Sequence, residues 1–376
     1  MILQFTRPLE MSGLYIVYSK AGALVEKPGL FGTSHLMEHL VCHTVDVMED
    51  RARMGGLFKN AFTYGDFVVF ALSGLSSRLE PLAREYVGRL TGYGLYPGAD
   101  GITVAQFENE KRTVMQEYKD AFAEIAHGHA LNCLRKTYGL YHAIGLEDDI
   151  RRFSYDEFQD TYDKVFRHPA MIIYTGPRNI DLPDVECSTG DAIPGVPLEF
   201  NENRECPLET VASSERHPVE CIGKVPCPVE DSLPLKFAID MLTSGLQSPL
   251  YQEIRETRGL SYYSFGGVDR FGKLAIPSFD ACTDDKGLNQ LLDIYTNVFG
   301  HLEQYLTKER FEIVRSTFES RKEQYDVLRY DEYYDVITDR LGYCGSLAGL
   351  ERVTYDKVIE VANKYIHRDM MYFYVG

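Results

Sequence analysis

Two stretches of this chain, 200 positions apart, can be laid over one another without a gap: FSYDEFQDTYDKVFRHPAMIIYTG (Phe153 to Gly176) and VTYDKVIEVANKYIHRDMMYFYVG (Val353 to Gly376). Tyr155 and Tyr355, Asp156 and Asp356, Lys164 and Lys364, Met171 and Met371, Tyr174 and Tyr374, and Gly176 and Gly376 coincide. Each copy reads as a helix capped by Ser154 or Thr354, with apolar residues at helical spacing, followed by an apolar strand that closes on glycine. Agreement in order and in predicted structure points to a duplication. A second echo sets GGLFKNAF (Gly55 to Phe62) beside RGLSYYSF (Arg258 to Phe265), each after a helical pattern and each leading into a strand-like run. So long a period excludes a solenoid, whose repeats run to tens of residues. Two related halves remain.

Length agrees, because 376 residues exceed one ordinary core and suit two domains of about 150 to 200 residues. The segment from about Arg178 to about Ser213 is rich in Pro, Gly, Asp and Asn, lacks periodicity and reads as a linker. The chain is thereby divided into 1–177, 178–213 and 214–376. Strands are predicted at Phe67 to Ser73 and Leu274 to Cys282, and amphipathic helices at Arg78 to Leu90 and Leu288 to Leu306. This mixture predicts an α+β fold in each half, with helices packed on one face of a sheet.

With 44% hydrophobic and 25% charged residues the chain has the composition of an ordinary soluble globular protein, so disorder and fibrous repeats are excluded. No apolar run approaches the roughly 20 residues that cross a bilayer. The opening MILQFTRPLEMSG lacks a basic region followed by a long apolar stretch, and a cytoplasmic location is expected. Eight scattered cysteines without a CxxC pair argue against a disulfide scaffold or a thiolate zinc site, and Cys42 reads as a small buried side chain. The net charge of −17 repels phosphates, which disfavours nucleic acid and anionic membranes and leaves a cationic or neutral partner.

The chemistry gathers in SHLMEHLVCH, residues 34 to 43. On a helix, positions i and i+4 share a face, so His35 and His39 can converge on one ion while Glu38 flanks it. A hydrolytic zinc site takes three nitrogen or oxygen ligands and leaves one position for water, so a third ligand must come from elsewhere. The candidate segment is FENEKRTVMQEYKDAFAE, where Glu110 and Glu117 lie seven residues apart and within about 20° around a helix axis. Spacing alone leaves two readings open for this pair, a ligand or a solvated face. His43 extends the histidine stripe by one turn but cannot replace His35 without misplacing Glu38; it is read as structural.

His-x-x-Glu-His is the inverted zinc motif, and its setting resembles the pitrilysin/insulinase type of metallopeptidase, in particular short two-half subunits related to the mitochondrial processing peptidase. HLMEH follows a glycine-containing turn, as in that family. GGLFKNAFTYGDFVVF resembles the family's Asn-Ala-x-Thr strand, which implies peptide binding at Asn60, Ala61 and Thr63. ENEKRTVMQE resembles its third-ligand helix, which assigns Glu117 to the metal and a supporting role to Glu110. SPLYQEIRETRGLSYYSF resembles the Arg and Tyr element that grips substrate, which maps to Arg255 and Tyr262. The likeness covers nearly the whole chain and implies two mostly antiparallel sheets, a clam-shell-like chamber for unfolded peptides, and a homodimer. The short opening departs from the pattern and leads one to expect a missing or abbreviated strand ahead of the motif helix.

With one zinc per chain held by His35, His39 and Glu117, bound water approaches a pKa of about 7. Glu38 is then the proton carrier, and Arg255 or Tyr262 offers a donor for the developing oxyanion. The expected activity is zinc-dependent endopeptidase cleavage of short or unfolded peptides added as an extra β-strand, with a preference for basic ones suggested by the net charge. Two other classes fit the same residues. One is a non-catalytic peptide-binding or scaffold subunit of the same fold, and the other an iron enzyme using the same two-His-one-carboxylate set.

Overall fold

The computed structural model describes residues 1–94, 101–123, 143–188, 216–328, 332–344, 347 and 349–375. They form two compact units, the first of residues 1–94, 101–120, 143–188, 327–328 and 332–333, the second of residues 121–123, 216–326, 334–344, 347 and 349–375.

The first unit holds strands β1 (Ile2–Thr6), β2 (Met11–Tyr18), β3 (Phe58–Thr63), β4 (Val68–Leu75) and β5 (Met171–Gly176) in the order β1-β5-β2-β4-β3. Every neighbouring pair is antiparallel except β1 and β5. Two strands thus precede the motif helix, the five-residue β1 and the eight-residue β2. Strand side chains alternate between faces, so Leu14, Ile16, Tyr18, Val68, Phe70, Leu72, Ile172 and Tyr174 all enter one core. That core is completed by α1 (Thr33–Cys42), α2 (Glu49–Met54), α3 (Ser76–Thr91) and α4 (Val104–Ala123), through Leu36, Leu40, Leu79, Val87, Phe107 and Val114 among others. Burying each such side chain contributes about 1.5–3 kcal/mol, which is what seats α1 and α4 on the sheet.

The second unit repeats the plan. Strands β6 (His217–Gly223), β7 (Cys227–Pro228), β8 (Ser264–Phe271), β9 (Leu274–Thr283) and β10 (Met371–Val375) form a sheet ordered β10-β6-β9-β7, with β8 paired along β9. The runs β5-β2-β4-β3 and β10-β6-β9-β8 correspond strand for strand, and each pair in both is antiparallel. Its core collects Val219, Cys221, Phe279 and Ala281 from the sheet and Leu235, Ile239, Leu291, Tyr295 and Val361 from helices. The duplication is therefore one of topology as well as of sequence.

The two copies that reveal the duplication fold alike. Ser154 forms a capping box with Glu157 at the head of Tyr155–Thr161, and Thr354 Oγ1 accepts from the Lys357 amide at the head of Tyr355–Tyr365. Their matched tyrosines do matched work. Tyr155 donates to the Ile102 carbonyl just before α4, and Tyr355 donates to the Leu306 carbonyl just before the long helix Lys308–Leu328. Each repeat thus pins the start of its own half's long helix.

Elsewhere the expected elements shift modestly. The strand expected at Phe67 to Ser73 is β4, that at Leu274 to Cys282 is β9, and the helix expected at Arg78 to Leu90 is α3. The helix expected over Leu288 to Leu306 breaks into Leu288–Gly300 and Leu302–Tyr305. Gly300 is a poor helix former, and the His301 ring binds the Asn297 carbonyl at 2.9 Å, competing with the helical ladder. Residues 178–188 contain neither helix nor strand, yet Ile180, Leu182 and Val185 pack on the first core; residues 189–213 of the expected linker lie outside the described residues. Cys133 and Cys206 lie there too, and the other six cysteines are free thiols. Among the described residues no helix is long and apolar enough to cross a membrane.

Candidate metal centre

Helix α1 turns Leu36, Met37, Leu40 and Val41 into the core, which leaves His35 and His39 together on its partly exposed face. Its N-terminus has no side-chain cap of its own; Gly32 sits there at φ +92°. Glu26 supplies the cap from outside the helix, accepting the Gly32 amide at 2.7 Å and the Ser34 amide at 2.6 Å. A carboxylate complements the positive end of the helix dipole, although burial pushes its pKa up to about 7. Gly32 is met by Gly145, where any Cβ would lie 2.2 Å from the Gly32 backbone. Only a glycine at position 145 permits that approach.

Helix α4 is seated by Phe107 and Val114 in the core and by Lys111, whose ammonium donates to the carbonyls of Arg151 and Phe153, each at 2.8 Å. This orientation brings both Glu110 and Glu117 against α1. Glu117 Oε2 lies 3.6 Å from His35 Nε2 and 3.7 Å from His39 Nε2, and the two Nε2 atoms are 3.2 Å apart. Three such donors about 2.0–2.2 Å from a tetrahedral zinc would be about 3.3–3.6 Å from one another. The triangle therefore has the size and the donor set that zinc takes, and His35, His39 and Glu117 form the one metal-capable cluster among the described residues.

Glu110 stands behind His39, with its Oε2 3.2 Å from Nδ1. A carboxylate there keeps the proton on Nδ1 and leaves the Nε2 lone pair facing the triangle. The other oxygen of Glu110 is 3.1 Å from His43 Nε2, and His43 Nδ1 is 2.6 Å from Asp46. The Asp46 contact, helped by Glu110 and opposed by burial, raises the His43 pKa above its ordinary value.

Glu38 is 9% exposed and lies beside the triangle, with Thr63 Oγ1 donating to its Oε2 at 2.7 Å. Burial is the main force raising its pKa; the Thr63 bond and the nearby His39 oppose this, and Glu117 adds to it. A carboxyl so placed can take up and return a proton at this spot. Thr63 ends β3, which pairs only with β4 and so stands at the sheet edge among the described residues; Asn60 is exposed on it and Ala61 packs on the core. Arg255 and Tyr262 belong to the second unit, and they meet each other: the guanidinium lies 4.4 Å from the Tyr262 ring centre, and 5.1 Å from that of Tyr251. The ring of Tyr262 is held yet 75% exposed.

Three residues that shape the site escape sequence reasoning. Glu26 carries no local capping signature because it lies six residues before the cap. Lys111 reads as a surface charge on α4, and Asp46 as one of 56 acidic residues. Their roles are contacts between segments.

Residues 182–318 match the family described as "Peptidase M16 inactive domain". No curated protein matches the chain. Among solved structures, a protease from Helicobacter pylori superposes with a TM-score of 0.80 at 14% identity, covering 100% of this chain and 96% of that one. The peptidase M16 inactive domain from Pseudomonas fluorescens superposes with a TM-score of 0.72 at 14% identity, covering 100% and 94%. A chain of Complex III2 from Candida albicans superposes with a TM-score of 0.77 at 11% identity, covering 100% and 93%. The chain has the fold of M16 peptidases, and residues 182–318 match the family's inactive-domain type. That match spans neither α1 nor α4.

Proposed function

We propose that this chain is a zinc-dependent endopeptidase acting on short or unfolded peptides. One observation carries the reading: two imidazole nitrogens and a carboxylate oxygen from segments far apart in sequence meet at zinc-ligand spacing. His35, His39 and Glu117 would hold the ion, which supplies Lewis acidity and lowers the pKa of water when bound. Glu38, oriented by Thr63, takes the proton from the attacking water and delivers it to the leaving amine. Glu110 keeps His39 in its ligating tautomer. The edge of β3, unpaired among the described residues, offers backbone groups to which an extended peptide adds as a strand, a mode that reads main chain more than side chain. The resemblance assigns substrate binding to Arg255 and Tyr262 of the second unit as well. With a net charge of −17, basic peptides are the favoured substrates.

A second reading has its own support. The inactive-domain match and the likeness to a subunit of Complex III2 favour a peptide-binding or scaffold protein of the same fold. One experiment separates the two. The zinc-loaded protein and its Glu38→Gln variant are incubated with a mixed peptide library, with and without chelator, and cut sites are read by mass spectrometry. Chelator-sensitive cuts that vanish in Glu38→Gln support the peptidase; peptide binding without cleavage at full zinc loading supports the scaffold.

A further inference from the structure

We propose that His43 is a positioning residue of the metal centre, clamping Glu110 so that His39 presents its Nε2 lone pair to the ligand triangle. The inference rests on the zinc reading above and adds to it a residue that the spacing of HLMEH sets aside.

The geometry is a relay with one imidazole for each oxygen of Glu110. Oε2 lies 3.2 Å from His39 Nδ1, and Oε1 lies 3.1 Å from His43 Nε2. His43 is itself held at 2.6 Å by Asp46, whose other oxygen lies 3.5 Å from Lys59 on β3. A glutamate carboxylate has a broad, roughly two-fold terminal torsion. Without His43 it is free to turn and to offer His39 either oxygen in poorer alignment. With both oxygens engaged, the plane of the carboxylate is set and the His39 ring with it. Helical spacing makes this possible: His43 stands one turn beyond His39, at the start of the 3₁₀ turn His43–Met48 that carries Asp46. Each ring nitrogen of His43 faces a carboxylate, Nδ1 that of Asp46 and Nε2 that of Glu110, so neither is left to bind metal. His43 is thus excluded as a fourth ligand by the same contacts that give it a supporting role. Outer-shell partners of metal-bound histidines are worth roughly 10–100-fold in metal affinity.

The test uses His43→Leu, His43→Gln and Glu110→Gln in the full chain. Zinc affinity is measured by competition with a chromogenic chelator, and the His39 tautomer by long-range ¹H–¹⁵N correlation in the metal-free protein. His43→Leu is expected to weaken zinc binding about 10-fold and to shift His39 from the Nδ1–H form to a mixture. His43→Gln, whose amide can still donate to Glu110, recovers most of that loss. In the Glu110→Gln background His43→Leu produces no further weakening, because both act through one link. Asp46→Asn, on a half-exposed side chain, checks the relay without disturbing the core and weakens zinc binding in the same direction. Zinc affinity within twofold of wild type in folded His43→Leu or Asp46→Asn, with an unchanged His39 tautomer, overturns the proposal. So do losses that multiply fully in the double variant. A wild-type chain that takes up no zinc sinks the reading of the metal centre instead, and the tautomer of His39 then decides the role of His43 by itself.

Discussion

Lys111 offers a test of how α4, and hence both glutamates, is held in place. Lys111→Met keeps most of the stem and removes the ammonium. The residue is 8% exposed, and its ammonium donates two bonds of 2.8 Å to the carbonyls of Arg151 and Phe153. Hydrogen bonds to a charged group contribute about 1.5–3 kcal/mol each, so about 3–6 kcal/mol is lost before compensation. The variant no longer buries a charge and its thioether suits the site, which returns part of this. The ion pair with half-exposed Glu108 at 3.8 Å adds little. The expected net loss is about 2–4 kcal/mol. The chain has no tryptophan, so urea unfolding is followed by circular dichroism. For a unit of this size the loss lowers the melting temperature by about 4–15 °C. Because Lys111 lies between Glu110 and Glu117 on one helix, zinc affinity should fall as well. A change below about 0.5 kcal/mol would show that the two carbonyls find other partners and that α4 is not anchored here.

Three further outcomes are expected. Glu117→Gln removes the anionic donor from the triangle, so elemental analysis of purified protein should find zinc far below one per chain while circular dichroism stays unchanged. Gly145→Ala places a Cβ 2.2 Å from the Gly32 backbone at a residue with φ +69°; both terms are unfavourable, and a destabilisation of at least about 2 kcal/mol, with weakened zinc binding, is expected in denaturant titrations. In the second unit, burial pushes the Asp231 carboxyl up, but hydrogen bonds from Lys364, Lys357 and Tyr365 outweigh it and bring its pKa below the ordinary value. A carboxyl that titrates lower when folded stabilises above the unfolded pKa of about 3.9, and this is lost as pH falls through the folded value. Asp231→Asn should accordingly melt below wild type at pH 7, with the gap closing below about pH 4; a gap constant from pH 7 to pH 3 contradicts the assignment.

Much of this protein is written locally. The repeat at an offset of 200 determined two related halves, since caps at Ser154 and Thr354 and apolar periodicity act over a few residues and survive without tertiary context. The i, i+4 spacing placed His35 and His39 on one face for the same reason. What happens across space is decided otherwise. Seven-residue spacing could not tell a ligand from a solvated face at Glu110 and Glu117; the seating of Phe107, Lys111 and Val114 turned both toward α1, and a separation of 71 residues between His39 and Glu110 leaves no local trace. His43 looked like a leftover of the stripe until the fold gave it Glu110 and Asp46. Short-range signals record backbone preference, which each residue carries with it. Donor atoms 3 to 4 Å apart on separate helices exist only once a packed core has chosen which faces meet.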